Sequence, residues 1–462
     1  MTNHEVKNSL EFRKKTLSSV WDGQGNSTEH IKNASGARTL LFHPNIAFSS
    51  KLSLRSAEDR LNEAVSLCAA LELDIVISEV IQLSKIRPAT YLGKGKLDEL
   101  SVYIQAHDIE LVVADCELSP GQQRNLEREL KVKVIDRTGL ILEIFGERAQ
   151  TKEGVMQVEL AHLNYQKSRL VRSWTHLERQ RGGFGFMGGP GESQIESDRR
   201  LIDERIGKIK KQLSSVIRTR ELHRNSRRKV PFPIIAMVGY TNAGKSTLFN
   251  KLTAADVMAE DLLFATLDPT MRNVDMPNSN KAIFSDTVGF ISDLPTHLVA
   301  AFRATLEEVT EADIILHVRD ISHRETEAQK NDVIEVLKFL NITDDKNKII
   351  FEVWNKIDLL SLDEREVIEN TALRLENVAL VSAITGEGCA ELLEVLDELL
   401  ARDKKTFELE FSHVDGADIA QLYKLGEVLS REDTETSTRL TVRLDQAAIG
   451  QLEKLGKLHA NG

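Results

Sequence analysis

Residues 239–247 read Gly239-Tyr240-Thr241-Asn242-Ala243-Gly244-Lys245-Ser246-Thr247, directly after the apolar run Ile234–Val238 and ahead of a helix-competent stretch. Strand, glycine loop and helix in that register satisfy the phosphate-loop pattern together with the context it requires. The glycines let the backbone curl so that its N–H groups face a diphosphate, and the following helix adds the positive end of its dipole. Lys245 offers a point charge for the β and γ phosphates, and Ser246 a hydroxyl for Mg²⁺. A chance glycine turn would lack this register. The loop predicts an α/β fold in which a doubly wound sheet carries a nucleotide at a strand end.

A phosphate loop does not choose the base. Asn355-Lys356-Ile357-Asp358 does, because it follows a second apolar strand, Ile349–Trp354. The Asp358 carboxylate can accept from the two adjacent donors of guanine, N1–H and the exocyclic amine. Adenine presents an acceptor and a C–H there, at a cost of about 1–3 kcal/mol for the unpaired carboxylate. Asn355 can bridge from the base to the phosphate loop, and the Lys356 stem can cover a base face. Ser382-Ala383-Ile384, after the strand Ala379–Val381, resembles the backbone donor element for the guanine oxygen. Asp286-Thr287-Val288-Gly289 follows Ala282–Phe284, so Asp286 sits where it can hold Mg²⁺ through water and Gly289 can give its N–H to the γ-phosphate. Phe264-Ala265-Thr266-Leu267-Asp268-Pro269-Thr270 supplies the other switch, with Thr266 preferred as the metal ligand and Thr270 as the alternative.

The chain has 462 residues, too many for one compact core, so two to four domains are expected. No run of eighteen or more uncharged apolar residues occurs, and the first thirty residues lack a signal-peptide pattern. Cys68, Cys116 and Cys389 form no metal spacing and no disulfide framework, which points to a reducing cytoplasm. The net charge of −11 hides an exception: residues 163–230 hold 17 Lys or Arg against 7 Asp or Glu, so this stretch is +10 and the remainder −21. Polyanion binding is expected there.

Five segments follow. Residues 1–36 read as a mobile tail. Residues 38–150 read as a parallel α/β layer of strands Thr39–Phe42, Asp74–Leu83, Glu110–Ala114 and Val132–Asp136, with helices Ser56–Leu71, Leu97–Ala106 and Pro120–Leu130. Residues 151–229 read as a helical hairpin. Val155, Val158, Leu163, Leu170, Trp174 and Leu177 face Ile195, Ile202, Ile206, Ile209, Leu213 and Val216, and the second helix opens at the capping-box pair Ser193 and Glu196. Between them lies the glycine-rich loop Arg181–Gly191. Residues 230–402 carry the nucleotide motifs. Residues 403–462 form a small α+β unit of strand Phe407–Phe411, helix Ala417–Leu429, strand Arg439–Leu444 and helix Gln446–Leu455.

The phosphate loop, FATLDPT, DTVGF, NKID and SAITG, in that order, resemble a translation-factor-class GTPase of the Obg–HflX branch. RGGFGFMGGPGESQIESDRR before the nucleotide motifs and RPATYLGKGKLDEL (Arg87–Leu100) resemble HflX specifically. The resemblance implies GTP hydrolysis with Mg²⁺ and association with the large (50S) ribosomal subunit, in splitting or rescue of ribosomes, protein synthesis or ribosome biogenesis. A monomer is expected, and peripheral association with a membrane is left open. Phe290 stands where many GTPases place a water-orienting glutamine, so the missing group must come from elsewhere. Phe184, Phe186 and Met187 on the glycine loop, flanked by Arg179 and Arg181, suit stacking on splayed RNA bases. Gly93-Lys94-Gly95-Lys96 ahead of a helix reads either as a solvated turn or as a phosphate grip. The competing readings are a signalling GTPase that binds only protein and an additional ATP-using N-terminal domain.

Overall fold

A computed structural model describes residues 36–46, 55–180, 190–227, 232–254, 264, 269–277, 281–293, 303–343, 345, 348–402, 405–412, 418–419, 422–423, 427–434, 436–444, 449 and 452. The first layer is built from β1 (Arg38–Ile46), α1 (Ala57–Ala69), β2 (Asp74–Leu83), α2 (Lys94–Ala106), β3 (Leu111–Ala114), α3 (Pro120–Leu130), β4 (Lys133–Asp136) and α4 (Arg137–Arg148). Its sheet runs β2-β1-β3-β4 and every pairing is parallel, as the strand–helix alternation predicts. Alternation along β1 sends Leu40 and Phe42 to one face, against Leu97, Leu100 and Leu126, and Leu41 to the other. Ser56 caps α1 by accepting from the Asp59 N–H at 3.0 Å, and Ser119 with Gln122 closes a capping box at α3.

Helix α4 was not expected from the sequence. Its run Leu140-Ile141-Leu142 has no polar face because neither side meets water, and Leu140, Ile141, Leu142, Ile144 and Phe145 are all buried. Asp136 starts it by accepting from the Gly139 N–H at 2.9 Å.

The long helices α5 (Lys152–Gln180) and α6 (Pro190–Arg227) follow. Two expectations for them are corrected. Helix α6 begins at Pro190, so Ser193 lies inside it rather than capping it; proline at a first turn forfeits no hydrogen bond. The seam also differs: Met156, Leu160 and Leu163 meet Ile202, Ile206, Ile209, Leu213 and Val216, whereas Val155 and Val158 turn into the main core. Only part of the first helix's apolar face serves the hairpin, because its N-terminal half also packs on the α/β layer. The Arg205–Glu159 pair, at 2.6 Å, flanks the seam.

Next come β5 (Ile234–Gly239), α7 (Lys245–Thr253), β6 (Thr270–Asp275), β7 (Lys281–Asp286), α8 (Arg303–Glu311), β8 (Ile314–Asp320), α9 (Thr326–Phe339), β9 (Ile349–Asn355), α10 (Leu362–Ala372), β10 (Val378–Leu380) and α11 (Cys389–Arg402). Their sheet order is β10-β9-β8-β5-β7-β6, parallel except for β6 against β7. Strand order reverses at β5, the place where such sheets take a ligand at their carboxyl ends. The last unit pairs β11 (Lys405–Ser412), β12 (Glu427–Asp433) and β13 (Ser437–Leu444) antiparallel in the order β11-β13-β12. Strand β12 replaces the end of the helix expected over Ala417–Leu429; a bulge between Val428 and Ser430 breaks its two-residue alternation against β13, which leaves no readable period in seven mostly charged residues.

One apolar cluster joins the first layer to the third. Leu41, Ala64, Leu67, Ile141 and Phe145 share it with Val238, Tyr240, Phe264, Val288, Phe290 and Ile291. Among the described residues no helix is long and apolar enough to cross a membrane.

His317 on β8 is buried, and its Nδ1 has no partner among the described residues. Burial holds this imidazole far below its ordinary range, against the pull of Glu352. Because the folded-state value is depressed, its contribution to stability is complete above about 6.5 and is lost as pH falls below that value. Lowering the pH from 6.5 to 5 is expected to reduce the unfolding free energy by about 2 kcal/mol. Denaturant titrations of the parent and His317→Asn should show this slope in the first and a flatter one in the second.

Candidate functional site

The loop after β5 curls because Gly244 takes φ +86°, and α7 starts at the next residue. A β-carbon at Gly244 would lie 2.3 Å from Asn355 Nδ2, so this position tolerates only glycine. Lys245 is buried and its Nζ donates to the Tyr240 carbonyl at 2.8 Å. Burial lowers its ammonium to about 8, and Asp286 pulls it back up. Ser246 Oγ donates to Asp286 Oδ2 at 2.7 Å, which brings a hydroxyl and a carboxylate together at the loop's mouth. Both are hard oxygen donors of the kind Mg²⁺ prefers, so the residues fit that ion.

Asn355 joins three motifs. Its Nδ2 donates to the Ala243 carbonyl at 2.8 Å, and its Oδ1 accepts from the Ala383 N–H at 3.0 Å. The phosphate loop, the Asn355–Asp358 turn and the Ser382–Ile384 loop are thereby held at the carboxyl ends of β5, β9 and β10. Lys356 adopts φ 69° and pairs with Asp320 at 2.8 Å, while Asp358 and Ile384 are exposed and Ile357 is buried. Ser382 Oγ accepts from the Thr385 N–H at 3.2 Å, shaping its own loop.

Other expected residues are placed differently. Thr287 donates to the Met237 carbonyl at 2.6 Å and Val288 sits in the core, so both side chains serve the sheet. Phe264 is buried edge-to-face on Phe145, with ring centroids 4.7 Å apart. Phe290 is buried too, and its ring lies in the core shared with the first layer. Asn242 is exposed, with φ 59°, whereas Thr241 and Ala243 are buried and Thr247 is half-buried. Ala265, Thr266, Leu267 and Asp268 lie outside the described residues, as do Arg181, Phe184, Phe186, Met187 and the side chain of Arg179.

A charged network around Tyr240 escaped the sequence reading. The Tyr240 hydroxyl donates to Glu63 and accepts from Arg55 Nη1 at 3.0 Å and from the Ser292 N–H at 2.8 Å. Arg137 reaches Glu63, the Ser292 carbonyl and Ser292 Oγ, each at 3.0 Å, and Asp115 at 2.6 Å. Burial works to raise Glu63, but Arg137 with the bonds from Ser292 and Tyr240 holds it below the usual carboxylate range. No local pattern marks these residues, because the bonds that join Tyr240, Glu63, Arg137 and Ser292 span 52 to 229 positions in sequence. A cavity of about 500 Å³ beside them, at the carboxyl ends of β1 and β3, is lined by His43, Asp115 and Arg137 among others. Gly93 caps α2, so Lys94–Lys96 form its first turn, and the Lys96 ammonium is taken up by Glu79 at 2.7 Å and Glu99 at 2.9 Å rather than left to grip a phosphate. Burial pushes the thiols of Cys68, Cys116 and Cys389 up, Cys68 to about 12, so none is a thiolate at neutral pH.

Family profiles match nearly the whole described chain: a GTP-binding GTPase N-terminal region over 58–146, its middle region over 148–227, a 50S ribosome-binding GTPase over 234–356 and an HflX C-terminal domain over 367–461. A GTPase HflX of Magnetococcus marinus is 50% identical over 83% of this chain and 87% of its own length. The chain belongs to the HflX GTPase family. The GTPase HflX of Escherichia coli K12 is 45% identical, over 73% of this chain and 78% of its own length. A GTP-binding protein from Sulfolobus solfataricus, solved with GDP, is 24% identical with a TM-score of 0.42, over 79% of this chain and 98% of its own. As an HflX-family member the chain binds and hydrolyses GTP.

Removing the Asn355 amide deletes two buried hydrogen bonds at once. Asn355→Ala is expected to weaken guanine-nucleotide binding by about 2 kcal/mol, roughly thirtyfold. Asn355→Asp keeps the acceptor for Ala383 but sets a buried carboxylate oxygen against the Ala243 carbonyl, so titration with a fluorescent GDP should show a loss at least as large as that of alanine.

Proposed function

We propose that this HflX-family GTPase is a nucleotide-driven factor of the large ribosomal subunit, with its tail at 1–36, α/β layer at 38–150, basic hairpin at 151–229, GTPase unit at 230–402 and terminal unit at 403–462. The observation that carries the site is the Asn355 bridge, which holds the phosphate loop and base-reading turn in one frame. In this reading Lys245 faces the β and γ phosphates, the Gly289 N–H faces the γ-phosphate, and the Asp358 carboxylate takes both guanine donors. Ser246 and Thr266 would hold Mg²⁺ directly and Asp286 through water. Mg²⁺ bound there supplies charge neutralisation across the β and γ oxygens. Phe290 is buried and cannot polarise water, so stimulation by a bound partner supplies the group this chain lacks.

The ribosomal partner is supported by the match of residues 234–356 to the 50S ribosome-binding GTPase family and by the +10 stretch at 163–230. We assign RNA contact to the hairpin tip, with Phe184, Phe186 and Met187 stacking on bases and Arg179 and Arg181 facing phosphates. Cytoplasmic location follows from that partner.

Two experiments test the reading. Asp358→Asn is expected to move preference from GTP toward xanthosine triphosphate, because an amide donates to the xanthine 2-oxygen; unchanged GTP affinity with no such gain would remove the base assignment. Co-sedimentation with purified large subunits should depend on GTP, and Phe184, Phe186 and Met187 changed together to alanine should weaken it by at least about tenfold. The triple variant should still bind GTP normally; equal co-sedimentation of parent and variant would overturn the role of the tip.

A further inference from the structure

The segment after Asp286 is joined to the phosphate loop by one isolated parallel bridge, Tyr240 to Phe290. The Phe290 N–H donates to the Gly239 carbonyl at 3.1 Å, and the Phe290 carbonyl accepts from the Thr241 N–H at 2.8 Å. Two residues on, the Tyr240 hydroxyl takes the Ser292 N–H at 2.8 Å, and Arg137 holds the Ser292 carbonyl at 3.0 Å. A phenol has one proton and two lone pairs, and here Glu63, Ser292 and Arg55 occupy all three. Glu63, Arg55 and Arg137 all belong to the first layer. The phosphate loop and the segment that carries Gly289 are therefore pinned together by the side chain of a phosphate-loop residue, and that side chain is gripped from another part of the molecule.

The pinned position bears on the nucleotide. A β-carbon built at Gly289 would lie 2.8 Å from Thr241 Cγ2 and 3.0 Å from Lys245 Nζ. Gly289 thus rests against the ammonium that must face the β and γ phosphates, and that ammonium is turned to the Tyr240 carbonyl. A γ-phosphate oxygen that accepts from both the Gly289 N–H and Lys245 Nζ has to fit at this contact, where the Thr241 and Lys245 side chains now fill the space beside Gly289. GDP makes no such demand. Outward movement of Gly289 strains the Phe290 bridge first and then the Ser292–Tyr240 bond.

We propose that Tyr240 is a positioning residue whose phenol holds the Gly289–Ser292 segment against the phosphate loop, and that Glu63 and Arg137 set the strength of this hold, so that the first layer biases the site toward GDP over GTP. The proposal rests on the reading of residues 239–247 and 355–358 as the GTP site. It concerns a hold between parts of one chain, and its energy is that of one or two buried hydrogen bonds, enough for about a fivefold bias.

Tyr240→Phe keeps the ring in the core and removes only the hydroxyl. With the purified full-length protein, affinities for GDP and for a nonhydrolysable GTP analogue are measured for the parent, Tyr240→Phe, Glu63→Gln and the double variant. The analogue-to-GDP affinity ratio is expected to rise about fivefold in Tyr240→Phe. Glu63→Gln should move it in the same direction, and the double variant should fall short of the sum of the single effects, because the Tyr240–Glu63 bond is common to both changes while Glu63 also takes the Ser292 hydroxyl directly. A role in stability alone would lower the unfolding temperature and weaken both nucleotides equally. An unchanged ratio, an equal loss for both nucleotides, or single effects that add would each overturn the proposal. If Tyr240→Phe does not fold, the ratio in Glu63→Gln decides alone. A parent that binds neither nucleotide would overturn the GTP-site reading itself, which separates that failure from this one.

Discussion

The parallel bridge between the backbones of Tyr240 and Phe290 is the constraint on which the rest of the arrangement depends. It sits where β5 runs into the phosphate loop, and it makes the loop's first residues and the segment after Asp286 into one piece of backbone structure. Two other parts of the molecule are attached to that piece. Asn355 ties the Ser382–Ile384 loop to it from one side, and from the other the Tyr240 hydroxyl ties α1 through Glu63 while Arg137 ties α4 through Ser292.

The attachment to the first layer has an apolar and a polar part, and they do different work. Phe290, Ile291 and Phe264 share one core with Ile141 and Phe145, which removes a large area from water without regard to direction. The polar part supplies direction. Arg137, buried with Asp115 and Glu63, is an ion network whose desolvation cost is offset only when each partner is in place. Such a network stabilises one arrangement and strongly penalises its neighbours. It suits a contact that has to have a defined register across two folded units.

The same economy explains Phe290. A residue at this position that must anchor the segment in a shared core cannot also turn toward a water molecule at the γ-phosphate. The side chain that would position water is given up for one that positions the backbone. The buried ring is the structural reason why Phe290 itself cannot supply that group.

Much of the fold was legible because local rules agreed. Strand–helix alternation marked the parallel layer, and Gly244 with Lys245 marked the turn from β5 into α7. The order of nucleotide motifs marked their gathering at the carboxyl ends of one sheet. What escaped had no local signature. Helix α4 is apolar on every side because a second unit covers it, and β12 is a short polar strand specified by its partner β13. Val155 and Val158 look like hairpin residues until the layer they pack on is present. By itself the sequence marked the short segments proposed to meet the nucleotide, since a glycine curl, a charged lysine and an aspartate turn are properties of short segments. Only the tertiary structure decided that Tyr240, Glu63, Arg137 and Ser292 form one network. Their bonds span up to 229 positions, and no periodicity in a chain encodes a contact between groups that its own local conformation never brings near.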